Sequence, residues 1–298
     1  MRRLVLLGCA AVIIATASLG ARPEAQDPEF EARLEAQLAE ARAAWEKDRD
    51  DADALIWVGR RAAYLGRYRE AIDVFSDGIA RHPNDARMYR HRGHRYLTAR
   101  ETGKAIADLE KAAGLIAGRP DAIEPDGLPN ARNVPTGTLH SNVYYHLALG
   151  YYLEGDFDRA AATWTRARDA VANADNLVAA SHWLYLSLRR AGRPADAAAV
   201  LQPITADLDV IENGEYHQLL LMYRGKRTPE TVLAAAGEGA GGSALRYGVS
   251  AWYLVNGRRD DAAALWAAIL EGPDWPSFGY LAAEADAARV AASLPVKQ

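Results

Sequence analysis

Cysteine is almost absent from this chain of 298 residues: Cys9 is the only one. No disulfide can form within the chain, so the fold stands on packing alone. Excess positive charge is absent too. Lysine and arginine number 35 against 39 aspartates and glutamates, a formal net charge of −4. That removes the global basic field used to hold nucleic acid or anionic membrane, and any basic site is a local patch. Convincing apolar–polar alternation, the mark of a half-buried strand, is missing as well. There is no nucleophile elbow, no two-histidine zinc-protease motif and no phosphate loop. Gly237-Glu238-Gly239-Ala240-Gly241-Gly242 formally matches G-x-G-x-x-G. The dinucleotide motif needs a strand before it, however, and here the segment reads as a loop. What remains is an ordinary globular composition with no catalytic, cofactor or metal signature.

The N-terminus carries the one long apolar run. Arg2 and Arg3 precede Leu4–Leu19, with small residues at Ala15-Thr16-Ala17 and Ser18-Leu19-Gly20. This predicts a signal peptide over 1–21 and a periplasmic or extracellular protein. The run is shorter than the roughly 20 residues of a spanning helix. Membrane contact is expected only if the segment stays uncleaved or is lipidated at Cys9, which follows Leu6-Leu7-Gly8.

Self-similarity organises the rest. Gly66-Arg67-Tyr68-Arg69-Glu70-Ala71 is echoed by Gly155-Asp156-Phe157-Asp158-Arg159-Ala160, by Gly192-Arg193-Pro194-Ala195-Asp196-Ala197 and by Gly257-Arg258-Arg259-Asp260-Asp261-Ala262. Gly225 opens a weaker copy. Small and large residues recur around these turns: Gly59, Ala71, Phe75 and Pro83, then Tyr89, Gly93, Tyr96, Ala105 and Leu109, then Tyr144, Leu147, Ala148, Tyr151, Ala160 and Trp164. On these residues the chain resembles the tetratricopeptide repeat family over roughly 52–290. The resemblance implies an all-α, right-handed superhelical solenoid of helix-turn-helix repeats with capping helices. Repeats 1–2 fall in 52–113, and repeats 3–6 with a C-terminal cap in 143–298. Such units bury their apolar faces only against neighbours. Asp27-Pro28, followed by Phe30, Leu34, Leu38, Ala41 and Trp45 at helical spacing, predicts an N-terminal capping helix in 27–51. Phe278–Ala292 is expected to cover the last repeat.

Gly66 and Gly155 lie 89 residues apart, where two periods of this repeat would span about 68. The excess falls in 114–142, where Pro120, Pro125, Gly127, Pro129 and Pro135 forbid a continuous helix. Ile123, Leu128, Val134 and Leu139 suggest an ordered inserted loop.

The segment Arg87–Tyr96 concentrates basic and aromatic residues. At 100° per residue, Tyr89, Gly93 and Tyr96 share a packing arc, and Arg87, Arg90, His91 and His94 share the opposite one. Arg92 sits at the edge of the packing arc; the resemblance implies that it pairs with Asp108, since some members of the family carry an arginine there answered by an aspartate in the second helix, and a charge buried alone is costly. Arg95 falls between the arcs and receives no role. In the tetratricopeptide family the first helix of each repeat lines a concave groove. This implies a groove formed by Arg60, Arg87, Arg90, His91, His94, Tyr145, His146, Tyr152, His182 and Trp183. Arginine and tyrosine suit carboxylates and extended peptides.

The expected function is a non-catalytic adaptor or assembly factor holding a protein or peptide in that groove. The alternative is a binder of small anions, with the 114–142 insertion closing over the groove. A metal-dependent enzyme using His91, His94 and either His140 or His146 is a third reading.

Overall fold

The computed structural model describes residues 28–293. The expected signal peptide, Cys9 and the Asp27 cap lie outside the described residues. Fourteen α-helices follow one another: α1 (Pro28–Lys47), α2 (Ala52–Tyr64), α3 (Tyr68–Arg81), α4 (Ala86–Thr98), α5 (Thr102–Ile116), α6 (Leu139–Glu154), α7 (Phe157–Ala170), α8 (Ala174–Arg190), α9 (Pro194–Val200), α10 (Gly214–Tyr223), α11 (Pro229–Ala234), α12 (Gly239–Val255), α13 (Arg259–Leu270) and α14 (Phe278–Ala292). None of them is long and apolar enough to cross a membrane.

Helices α2 to α13 form six hairpins, and each hairpin turns on a left-handed residue. Five of these are Gly66, Gly155, Gly192, Gly225 and Gly257; the sixth is Arg100, at φ 61°. Glycine takes that conformation without penalty, so the repeat spacing shows in the sequence as glycines. The hairpins close because a small residue of the first helix meets a large one of the second. A Cβ at Gly59 would fall 2.4 Å from the Phe75 ring, and one at Gly93 would fall 2.6 Å from Leu109. Further along, Trp164 and Trp183 stack at 6.0 Å inside a continuous core. At the N-terminal end, α1 buries Leu34 and Leu38 against α2.

Three departures from the sequence reading matter for the site. First, α14 does more than cover the last repeat. It packs on α12 and α13 and also reaches α6. Arg289 donates to the Leu153 carbonyl at 2.6 Å, and Arg100 reaches both Glu284 and the Trp275 carbonyl at 2.9 Å. The array therefore folds back on itself, with α14 packed against α6.

Second, the G-x-G-x-x-G segment is not a loop throughout, for Gly239, Gly241 and Gly242 form the first turn of α12. A Cβ at Gly242 would fall 1.9 Å from the Gly237 carbonyl oxygen, so the glycine serves close packing.

Third, the irregular part of the insertion is 117–138, because α6 starts at Leu139 under a capping box of Thr138 and Ser141. This segment is ordered. Ile123 and Thr138 form an antiparallel bridge, and Arg61 donates to the Gly127 carbonyl at 2.7 Å. At the far end Arg132 holds Asp209 through two 2.8 Å bonds.

Candidate functional site: a cationic recess

Helix α4 starts at Asp85, whose carboxylate accepts the Arg87 backbone N–H at 2.9 Å. Its faces then separate by function. Gly93 packs into the hairpin against Leu109, and Met88 packs back on Gly78 of α3. Arg92 turns toward α5 and donates from Nε and Nη2 to the two Asp108 oxygens, both at 2.7 Å. Arg90, His91, His94 and Arg95 face a recess between α2, α6, the insertion and the start of α14.

Arg90 is buried, 8% exposed, and His91 beside it is 6% exposed. Arg90 Nη1 lies 2.8 Å from His91 Nδ1. A guanidinium only donates, so Nδ1 accepts and the His91 proton sits on Nε2. Arg90 Nη2 meets Glu124 Oε1 at 3.0 Å, and Arg90 Nε has no partner. Glu124 reaches in from the insertion, steadied by the Asn142 side-chain amide at 3.2 Å. His91 stacks on Phe75 at 5.2 Å. His94 meets His146 at 4.1 Å and Phe278 at 5.5 Å, while His146 Nδ1 donates to the Asn142 carbonyl at 2.6 Å. Arg60 donates to the Tyr64 hydroxyl at 3.1 Å and lies over the Trp57 ring. Arg95 lies over the Tyr68 ring, and no carboxylate of the described residues pairs with it. On the same side Tyr68 is edge-on to Trp275 at 5.5 Å.

The electrostatics follow from burial in the company of like charges. Burial holds Arg95 down to about 10, and the nearby Arg90 and Arg60 push the same way. Arg90 is lowered by burial and only partly restored by Glu124. His91, His94 and His146 are pushed well below the ordinary histidine value, first by burial and then by the neighbouring arginines. At neutral pH the three imidazoles of the recess are thus uncharged.

Beside it lies a cavity of about 190 Å³ whose lining includes Trp57, Arg60, Arg87, His91, Ile123 and Glu124. Of the recess residues it is lined by Arg60, His91 and Glu124.

Several residues expected in the groove are placed elsewhere. Tyr152 and His182 are 0% exposed and Trp183 is 1% exposed. Tyr152 bonds the Tyr247 hydroxyl at 2.6 Å, His182 stacks between Tyr216 and Tyr223, and Trp183 donates to the Tyr145 hydroxyl at 3.0 Å. The reason is the fold-back: α10 and α12 cover α8, so first helices that would face an open groove become core. Tyr145 joins that aromatic core as well, edge-on to Trp164 at 4.7 Å. Arg87 stays on the rim, paired with Asp85 and Asp53. His140 lies near Asp121 rather than Glu124. Among the described residues no three His, Cys, Asp or Glu side chains gather at metal-binding range.

Two members of the recess were left out of the expected groove. Arg95 is one turn beyond His91 and only about 40° from it around the helix, so the helical phase held the signal. Glu124 had no such signal, since its partner is set by where the insertion lands.

The fold is an all-α array of helix-turn-helix repeats, and its recess gathers arginines and histidines. No protein-family model matches the sequence, and no curated protein does. Among solved structures the chain is similar to a tetratricopeptide repeat protein from Parabacteroides merdae, at 15% identity over 80% of this chain and 87% of that one, with a TM-score of 0.47. It is also similar to YrrB, a TPR protein with an unusual peptide-binding site, at 14% identity over 83% and 97% of the two chains, TM-score 0.45. A third similar structure is MamA, at 14% identity over 68% and 99%, TM-score 0.45.

Proposed function

We propose that this chain is a non-catalytic binding scaffold whose recess receives a small ligand bearing a carboxylate. One observation carries the reading: Arg60, Arg90 and Arg95 gather at the recess, and Glu124 is the one carboxylate among the described residues that pairs directly with any of them, while Asp126 acts on Arg60 from farther off. Uncompensated cations are costly to bury, and a fold keeps them where an anion is to be met. The guanidinium fork matches a carboxylate in shape as well as charge. Size supports a small ligand. Liquid water takes about 30 Å³ per molecule, so the adjoining cavity suits roughly six non-hydrogen atoms, the scale of a small organic acid.

A protein or peptide partner in an open concave groove is the wider reading of a helical-repeat scaffold. The packing of α10 and α12 on α8, and of α14 on α6, favours the small ligand instead.

Calorimetric titration with acetate and succinate tests the proposal. Saturable binding is expected in the wild type, with at least a tenfold loss in Arg95→Met at an unchanged circular dichroism spectrum. The reading is discarded if neither acid binds, or if Arg95→Met binds as well as the wild type.

Export is proposed from Arg2, Arg3 and the apolar run Leu4–Leu19 alone. Determining the N-terminal residue of the protein recovered from its host tests it; an intact Met1 on soluble, intracellular protein would overturn it.

A further inference from the structure

We propose that Glu124 is an intramolecular stand-in for the ligand's carboxylate, and that segment 117–138 is a strap the ligand displaces. This inference rests on the carboxylate-binding reading above. Its first support is an inversion of the usual burial order. Ile123 is 67% exposed, whereas the Glu124 side chain beside it is only 12% exposed. Adjacent side chains of an extended segment point to opposite sides, so sliding the register by one residue would bury the isoleucine and free the glutamate. The chain adopts the opposite register. The arginines, not apolar burial, set how the strap is seated.

The second support is how the strap is fastened. Leu128 and Val134 are also exposed, at 52% and 47%. Lifting the strap therefore gives up little apolar contact, because these side chains already face water. Its far end is held by the exposed Arg132–Asp209 pair and by Thr136 and Asn130 on Glu212, contacts of the weak, solvent-screened kind, and by the Asn173 amide on the Thr136 carbonyl at 2.8 Å. At its inner end the fit is close. Gly127 lies against Tyr64, where an added Cβ would fall 2.1 Å from the hydroxyl oxygen. The fastening is polar and replaceable except at Gly127 and Glu124.

The third support is incomplete satisfaction. Glu124 engages one terminal nitrogen of Arg90 and leaves Nε bare. It pairs with neither Arg60 nor Arg95. A free carboxylate that is not tethered to a loop can take a better position among the three guanidiniums, which is what a displaceable stand-in requires.

The experiment compares succinate titrations of the wild type, Glu124→Gln and Gly127→Ala, alongside limited trypsin cleavage after the exposed Arg132. Glu124→Gln removes the competing charge, and Gly127→Ala lifts the strap without altering charge. Both are expected to bind succinate at least tenfold more tightly. Saturating succinate is expected to speed cleavage after Arg132 several-fold in the wild type. Equal or weaker binding by both variants, or protection of Arg132 by succinate, overturns the strap and leaves the binding site standing. Folded wild type and variants that all ignore succinate overturn the site and the strap together.

Discussion

Arg92 and Asp108 meet through two parallel hydrogen bonds of 2.7 Å, with a third guanidinium nitrogen reaching Ser76 Oγ at 3.0 Å. The pair joins the first and second helices of one hairpin where both side chains are mostly covered. Removing either partner leaves a charge facing a lost contact, and each of Arg92→Leu and Asp108→Ala is expected to cost about 1–3 kcal/mol. In urea denaturation the double variant should reveal a coupling above about 0.5 kcal/mol. Additive losses would sink the pair as a stabilising unit.

Arg95 carries the opposite expectation. Its charge is opposed by burial and by Arg90 and Arg60, so Arg95→Met is expected to raise the thermal midpoint. A gain of about 1 kcal/mol corresponds to roughly 2–4 °C at this chain length. Stability gained together with binding lost marks a residue kept for a ligand. A lowered midpoint in differential scanning calorimetry would instead show a packing role.

The buried histidines predict an acid-sensitive fold. His91, His94 and His146 are held well below the ordinary value, and His182 is pushed down to about 3, all chiefly by burial. Their folded values lie below the unfolded one, so the unfolded chain binds more protons as pH falls. Stability is therefore complete above about pH 6.5 and declines below it, by up to about 1.4 kcal/mol per pH unit for each histidine until its folded value is reached. His182→Phe keeps a ring between Tyr216 and Tyr223 and should flatten the slope of urea midpoint against pH between 6 and 4. An unchanged slope would remove His182 from the cause.

Asp286 fastens α14. It is wholly buried and accepts from Arg190 at 2.8 Å, Arg289 at 2.7 Å and the Tyr247 hydroxyl at 2.9 Å. Asp286→Ala leaves Arg190 buried without its acid and is expected to cost about 3–5 kcal/mol. Asp286→Asn, which keeps an acceptor, should cost less. Hydrogen exchange along α14 and α6 reads the loosening, and exchange unchanged in α6 would mean that α14 does not brace it.

What the sequence disclosed was local. Each hairpin turn was legible where a glycine marks its left-handed residue, and the second was obscured because Arg100 takes that position. The pairing of Arg92 with Asp108 was legible through the family resemblance, which sets an answering aspartate in the second helix opposite such an arginine. The burial of Tyr152, His182 and Trp183 was not, because the helices that cover them come from later in the chain. Helical phase alone separates the faces of a helix without saying which face another segment will occupy. Glu124 shows the same limit from the other side: the insertion was evident from its prolines, and its target only from its path.

The return of α14 changes how the array should fold. Repeats that touch only their neighbours have stabilities that nearly add, and they can fray from either end. Here Arg100 in the second hairpin binds Glu284, 184 residues away, and Phe278 rests on His94 and His146. Contacts over such separations must wait for most of the chain to be ordered and slow its folding. Once formed, they tie the last helix back to the second and third hairpins, so that the C-terminal end cannot fray alone and the recess is assembled only when that helix arrives.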